Sequence, residues 1–172
     1  MKKIFIYLIA ATSVCFGLTS CDPETDVEPG GTAVEKLAGE WRVHVDVITI
    51  DENGDSTNYG NYYNVNNLRF CTFNTADNTA DKIYIYEDDF WHTQIVCNCD
   101  LNSKTIFADG SLNILAKPED NETAKVNGKI IRNGCLNLHG MPNDSICIDV
   151  EYSTDPGTVY RFTGSRYTGF YE

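Results

Sequence analysis

Apolar and polar residues alternate along much of the chain after residue 35, with the period of two that is typical of half-buried β-strands. The clearest case is the stretch 41–50. Its apolar residues fall on one side and its polar residues on the other: Trp41, Val43, Val45 and Val47 against Arg42, His44 and Asp46. The segment that follows, 51–55, contains Asn-Gly and is predicted to turn the chain back.

Similar short segments recur to the C-terminus, separated by residues that favour turns. Before them only 35–39 suggests a single helical turn. Strands are predicted at 68–73, 82–87, 90–99, 105–107, 112–116, 125–132 with a break at Asn127-Gly128, 135–139, 145–152 and 158–166. The pattern predicts an all-β fold of eight to ten antiparallel strands, arranged as an up-and-down barrel or a sandwich.

The N-terminus carries the pattern of a lipoprotein signal peptide. Lys2 and Lys3 precede a mostly apolar run, 4–16, which is shorter than the ~20 residues needed to span a bilayer. Leu18-Thr19-Ser20-Cys21 then matches the lipobox read by the lipoprotein signal peptidase. We expect cleavage before Cys21 and lipidation of its thiol. The predicted organisation is a signal peptide over 1–20, a lipidated cysteine with a flexible acidic tether over 21–34, and a barrel domain over 35–172.

Charge and anchor together predict where the protein works. Loss of Lys2 and Lys3 makes the formal net charge of −12 two units more negative. Nucleic acid is therefore excluded as a partner, because phosphate binding needs a basic surface. The predicted membrane contact is the acyl anchor on Cys21, and the predicted location is the bacterial cell envelope, at the outer membrane.

Two resemblances sharpen the fold prediction. Gly39-Glu40-Trp41 resembles the Gly-x-Trp motif of lipocalins. In that fold the tryptophan closes one end of the barrel, and a basic residue of the last strand packs on its ring. The resemblance implies that Arg161 or Arg166 fills this role.

The second resemblance extends over nearly the whole mature chain. Its segments occur in order and are Leu37-Ala38-Gly39-Glu40-Trp41, Phe73-Asn74-Thr75-Ala76-Asp77-Asn78, Asn127-Gly128-Lys129-Ile130 and Gly164-Ser165-Arg166-Tyr167-Thr168-Gly169-Phe170. They are similar to the lipocalin-like lipoprotein family of Bacteroidetes described as "lipid-binding putative hydrolase". The resemblance implies a lipid or other small apolar ligand, and it supplies no catalytic motif. Cys97, Cys99, Cys135 and Cys147 are not part of the family pattern.

Aromatic residues on alternating strand positions are the candidates for ligand contact. We expect Trp41, Phe70, Tyr84 and Tyr86 to line the barrel interior, with Phe73 and Phe107 beside them. A barrel of eight strands can be filled by side chains or can hold one small ligand. The main hypothesis is therefore a lipid-anchored binding module, and a filled barrel that interacts through its outer face is one alternative.

A lipid or ester hydrolase is the other alternative. The chain has no Gly-x-Ser-x-Gly nucleophile elbow. The weak catalytic candidates are His139, Ser145 and Asp149, which share a strand face if 140–144 is a turn. Because strand faces exposed to solvent are routinely polar, an ordinary hairpin explains the same residues. No cofactor is expected.

Five cysteines remain beyond Cys21. Cys135 and Cys147 flank the predicted turn, so a cross-strand disulfide is one expectation and buried thiols are the other. Cys97-x-Cys99 has no second pair of ligands, and 51–55 lacks the later ligands of a calcium loop. We therefore predict no metal site.

Overall fold

A computed structural model describes residues 31–137 and 139–169, which contain nine β-strands. The signal peptide, Cys21 and most of the tether lie outside the described residues. The strands are β1 (Gly39–Ile50), β2 (Ser56–Asn58), β3 (Leu68–Asn74), β4 (Lys82–Glu87), β5 (Thr93–Asp100), β6 (Thr105–Leu112), β7 (Thr123–Leu136), β8 (Pro142–Tyr152) and β9 (Thr158–Arg166).

The strands form one antiparallel sheet that closes on itself. β1 pairs with β3 along its first half and with β9 along most of its length. Eight strands therefore make a closed barrel, and the short β2 adds to the far end of β1. The predicted all-β antiparallel barrel is confirmed. Below, the closed end is the end where β1 begins and β9 finishes, and the mouth is the opposite end.

The alternation in the sequence sets which side of each strand faces the core. In β1 the apolar residues from Trp41 to Val47 are buried, while the polar residues between them are partly exposed. The bounds of β4 and β9 are those that the sequence pattern predicts. The barrel interior is the hydrophobic core, and Val34 and Leu37 from the turn before β1 extend it. That turn spans 33–37 and is no longer than one helical turn.

Two strands are longer than the pattern predicts. The sequence pattern predicts separate strands at 105–107 and 112–116, but β6 runs from Thr105 to Leu112 with a register shift between Asp109 and Ser111. Residues 113–116 lie beyond the end of β6, so a strand there is not found. Gly110 sits at this bulge with φ +79°. β7 runs without interruption through Gly128, where a Cβ would lie 2.6 Å from the carbonyl oxygen of Cys147. This glycine permits close packing of neighbouring strands and does not end the strand.

The β7–β8 turn lies earlier than predicted. The hydrogen bonds that close it join Asn137 and Met141, and β8 already begins at Pro142. A bulge near Asn133 (φ +51°) absorbs the offset. As a result, Cys135 lies opposite Asn143 and Cys147 lies opposite Lys129. The predicted Cys135–Cys147 disulfide is therefore wrong: the two thiols do not face each other and form no bridge.

Among the described residues, no helix has the length and apolar character that crossing a membrane requires.

Candidate functional site

The closed end is sealed around Trp41. Its indole is fully buried and donates a hydrogen bond to Thr72 Oγ1 at 3.0 Å. The guanidinium of Arg166 lies 4.4 Å from the centre of the Trp41 ring and donates to the Ala38 carbonyl. The arrangement implied by the lipocalin resemblance is thus present, with Arg166 in the basic position. Arg161 instead faces outward and binds Asp149.

Aromatic rings contact one another within the barrel interior, among the valine and isoleucine side chains of the core. Phe70 packs on Phe162 with ring centres 5.2 Å apart, and Phe162 contacts Phe90 at 6.2 Å. Phe90 contacts Tyr160, which in turn lies 4.9 Å from Trp91. Trp41 and Phe70 have no exposed surface. They are part of a packed core in this structure, rather than the walls of a void.

Two of the four predicted ligand-binding residues face the other way. In β4 the isoleucines Ile83 and Ile85 fill the inner positions, so Tyr84 and Tyr86 lie on the outer face. The expectation that they line the interior is wrong. Phe73 and Phe107 are likewise on the outside, where they are 36% and 47% exposed.

The mouth is partly closed by the β4–β5 loop, which the sequence pattern assigned to a strand. The side chains of Phe90 and Trp91 fold inward from this loop and pack on the core. The buried carboxylate of Glu87 accepts hydrogen bonds from both backbone N–H groups, at 2.9 and 3.0 Å, and from Thr93 Oγ1 at 2.7 Å. A single inward-facing carboxylate therefore holds the loop in place.

A second buried carboxylate holds the Trp91 ring. Glu122 accepts from the Trp91 indole N–H, and also from Asn113 Nδ2 at 2.7 Å and the Thr154 hydroxyl. The ring itself stacks on Tyr152, with centres 4.5 Å apart and planes within 10°. With both carboxylates satisfied by donors, their chemistry here is the positioning of the loop.

Beside this loop the mouth contains an open pocket of about 380 Å³. Its floor is made by inward-facing residues of β1 and β9, Val47 and Tyr160. Its rim is made by three tyrosines that are 53–69% exposed: Tyr59, Tyr62 and Tyr63. A volume of this size falls in the ~300–1,000 Å³ range of small-molecule sites. The pocket combines the apolar surface of Val47 and of the tyrosine rings, which each carry one polar tip, with the polar side chains of Thr49, Asp155 and Thr158.

Hydrogen bonds hold the rim in place. Val47 N–H donates to the Gly60 carbonyl, and Tyr59 N–H donates back to Val47, so this segment is tied to β1. The side chain of Asn61 both accepts from and donates to the backbone of Val65, at 2.8 and 3.0 Å. Residues 59–65 have no apolar–polar period, so the sequence pattern did not predict that they form part of a site. The available signal was three tyrosines among turn-forming Asn and Gly residues.

Tyr160 supplies the polar group of the pocket floor. Its hydroxyl donates to Asp155 at 2.7 Å. Burial, reinforced by the Asp155 carboxylate, raises the pKa of Tyr160 above its usual value of 10. The hydroxyl therefore stays protonated at neutral pH, and the floor carries no charge from this ring.

The weak catalytic candidates are not assembled into a site. Ser145 and Asp149 both face outward on β8, but they are four positions apart along the strand, or roughly 13 Å. Both oxygens of Asp149 bind Arg161, at 2.7 and 2.8 Å. His139 lies in the exposed turn beyond the start of β8. A relay from Asp149 through His139 to Ser145 is excluded by this spacing.

The remaining candidate ligands also have structural roles. Cys97 and Cys99 both face the core from β5, and burial raises the pKa of Cys97 to about 12. Asp51 accepts from the backbone N–H groups of Asn53 and Asp55, so it closes a hairpin turn. Within residues 31–137 and 139–169, no group of three or more His, Cys, Asp or Glu side chains is placed to hold a metal ion.

Comparison with known proteins places this barrel in a family. No curated protein matches the chain. A structural genomics protein of unknown function from Bacteroides ovatus, whose crystal structure was solved at 2.40 Å, is 14% identical with a TM-score of 0.44. The match covers 78% of this chain and 43% of that one, so the chain spans less than half of its neighbour. The model of a family described as "Lipid-binding putative hydrolase" matches residues 26–171. The chain therefore belongs to that family.

Proposed function

We propose that this protein is a lipid-anchored lipoprotein of the bacterial cell envelope that binds a lipid or another small apolar molecule at the mouth of its barrel. The observation that carries the proposal is the mouth pocket, with Val47 and the Tyr160 ring at its floor and a rim of exposed tyrosines. The family description supports a lipid as the ligand class. The signal-peptide pattern ending at Cys21 supports the anchor.

The packing of the interior favours a ligand site at the mouth over one in a deep cavity along the barrel axis. A ligand lying along the barrel axis would have to replace the ring of Phe90 and the rings of Tyr160 and Phe162, which both contact it. A ligand at the mouth replaces only water. Aromatic rings that stand more than half exposed gain burial when an acyl chain lies against them, at roughly 25 cal/mol per Å² of apolar surface. The tyrosine hydroxyls remain at the rim, where they can bond to a polar head group.

Uptake of ligand tests the site. Residues 22–172 are purified, their native mass is measured, and fatty acids and phospholipids are titrated. We expect saturable binding of one ligand per chain. Tyr62→Ala should weaken it by about tenfold, because it removes one side of the pocket. Tyr84→Ala makes the same chemical change on the outer wall and should leave uptake unchanged. Equal affinities for both variants, or no uptake of any lipid, would overturn the proposal.

Incorporation of a labelled fatty acid in the cell tests the anchor independently. The full-length chain should carry the label, and Cys21→Ala should not. Label on the Cys21→Ala variant, or none on the unaltered chain, would contradict an anchor at this residue.

The filled interior also favours a second candidate, a barrel that acts through its outer face. In that case the uptake experiment gives no saturable binding, and the outer surface of the barrel carries the function.

A further inference from the structure

The mouth pocket contains a carboxylate and no cation. Its charged and aromatic lining residues are Asp155, Tyr59, Tyr62, Tyr63 and Tyr160, and a valine and two threonines complete it. No lysine, arginine or histidine is among the described residues that line it. An anionic head group is held best by the charge-assisted hydrogen bonds of arginine or lysine. The lining therefore does not match the carboxylate of a fatty acid.

Asp155 lies in the turn that joins β8 to β9, and the backbone of this turn is fixed. The Asp155 N–H donates to the Tyr152 carbonyl at 3.0 Å, and the Asp155 carbonyl accepts from the Thr158 N–H at 3.3 Å. The side chain is half-buried, and its Oδ2 accepts from the Tyr160 hydroxyl at 2.7 Å. The carboxylate is therefore held in one position at the wall of the pocket.

The other oxygen of this carboxylate, Oδ1, is available to a ligand. Among the described residues no donor reaches it, and no lysine or arginine pairs with Asp155. The ion pairs that arginines and lysine form within the described chain engage other carboxylates: Glu40, Asp144, Asp149 and Glu151. A negative charge that lines a pocket without a partner attracts a cation from the ligand.

The aromatic rim supplies a second attraction for a cation. Tyr62 and Tyr63 pack edge to face with ring centres 5.1 Å apart, and both are more than half exposed. The face of a tyrosine ring attracts a cation that lies within ~6 Å of its centre, and groups of such rings recognise quaternary ammonium ligands. The cation–π contacts of the described chain lie elsewhere, on Trp41 and Tyr167. The rings of the mouth are therefore free to take a cation from the ligand.

We propose that the mouth pocket selects amphiphiles whose head group is a positively charged ammonium. The apolar tail lies against Val47 and the tyrosine rings, and the ammonium lies between the rim and Asp155. The formal net charge of −12 also favours the approach of cations over that of anions. The inference rests on the proposed function and names the head group of the ligand that the pocket binds.

Probes with one tail and different heads test the selection. Residues 22–172 are purified, and decyltrimethylammonium, decanoate and decanol are titrated separately, each below its micelle concentration, with binding measured by calorimetry. Because the tail is the same, the difference in affinity reports the head group. We expect decyltrimethylammonium to bind about tenfold more tightly than decanoate, with decanol between them.

A fourth probe distinguishes two sources of the ammonium. Decylphosphocholine carries the same trimethylammonium beside a phosphate, as a phospholipid head group does. If it binds as tightly as decyltrimethylammonium, the ligand class includes phospholipids with an ammonium head. If the phosphate lowers its affinity to that of decanoate, the class is restricted to amphiphiles without a phosphate.

Substitutions locate the preference in the pocket. Asp155→Asn retains the shape and an acceptor for Tyr160, and it should bring the affinities for decyltrimethylammonium and decanoate to within about threefold. Asp77→Asn makes the same change of charge in an exposed turn at the closed end and should retain the tenfold preference. Tyr62→Leu keeps apolar surface but removes a ring, so it should reduce the preference by about twofold.

Other results would overturn the inference. Equal affinities for decyltrimethylammonium and decanoate in the unaltered protein, or tighter binding of decanoate, would refute selection of a cation and leave binding of an apolar molecule in place. A preference that keeps its full size in Asp155→Asn would show that the carboxylate does not bind the head group. Absence of binding by every probe would overturn the proposed function itself, and the inference with it.

Discussion

The two ends of the barrel are closed by different chemistry. At the closed end, Val34, Leu37 and Trp41 have no exposed surface, and Arg166 covers the indole. At the mouth, the rings that surround the opening are 53–69% exposed, and the inserted loop is held by two carboxylates rather than by apolar packing alone. One fold thus contains a sealed end and an accessible end.

The difference indicates how stability and binding are divided. Fully buried rings contribute most to the free energy of unfolding, whereas exposed rings contribute little until a ligand covers them. The closed end is therefore expected to control folding. The mouth is expected to control ligand affinity. The loop held by Glu87 is expected to affect both stability and affinity.

The largest effect is expected at the closed end. Trp41→Ala should lower the free energy of unfolding by about 3–5 kcal/mol, because it removes a fully buried ring and leaves a cavity. Tyr62→Ala at the mouth should change it by less than about 0.5 kcal/mol. Chemical denaturation of both variants measures the contrast. Comparable losses at the two ends would contradict the division of roles.

The next largest effect concerns the loop at the mouth. Glu87→Ala should cost about 3 kcal/mol, because it leaves the partly buried N–H groups of Phe90 and Trp91 and the buried Thr93 hydroxyl without their acceptor. Trp91 emission should shift to longer wavelength as the loop loosens. Glu52→Ala, at an exposed turn position, is the control and should be silent in both measurements. An unchanged Trp91 spectrum in Glu87→Ala would show that the carboxylate does not hold the loop.

Alkaline pH should act on the mouth. Burial raises the pKa of Tyr152 well above 10, so the folded protein keeps a proton that the unfolded chain releases. The contribution of this group is fully present below pH 10 and is lost as the pH rises further, with a slope of up to about 1.4 kcal/mol per pH unit. Denaturation midpoints measured from pH 9 upward check this. Tyr152→Phe should flatten the slope, and an equal slope in the variant would disprove the assignment.

The smallest effect is expected for the cation over Trp41. Arg166→Met should cost about 1 kcal/mol, since it removes the cation–π contact, the bond to the Ala38 carbonyl and the ion pair with Asp144 while retaining an apolar stem. Arg132→Met changes an exposed strand residue and should cost less than half of that. Thermal unfolding of the two variants is the measurement. A loss no greater than that of the control would show that the contact adds no stability.

Much of the fold could be predicted because a strand that buries one face shows alternating apolar and polar residues in its sequence. In β1 only one face is apolar, so Trp41 was assigned to the interior and lies there. In β4 both faces carry large apolar residues, and the inward position after Ile85 is Glu87. Periodicity has no means of choosing between Ile and Tyr in such a strand. The wrong orientation of Tyr84 and Tyr86 follows from this ambiguity.

The turns and the site depended on interactions that a local pattern does not contain. The β7–β8 turn lies earlier than the pattern predicts because β7 contains a bulge near Asn133. The resulting register gives Cys135 and Cys147 different partners from those expected. The sequence pattern places Phe90 and Trp91 at the beginning of a strand. In the structure their backbone N–H groups donate to the Glu87 carboxylate, so they form a loop instead. The rim tyrosines come together only when the loop after β2 is tied to β1.

The central claim is that ligand binds at the mouth, and the two tryptophans of the chain test it most directly. The Trp91 ring contacts Tyr160, which forms part of the pocket floor, whereas Trp41 lies at the closed end. Trp41→Phe and Trp91→Phe each leave a single emitter, and a brominated fatty acid quenches an indole only at close range. The account predicts saturable quenching of Trp91 and none of Trp41. Quenching of Trp41, or of neither indole while the fatty acid is bound, would contradict it.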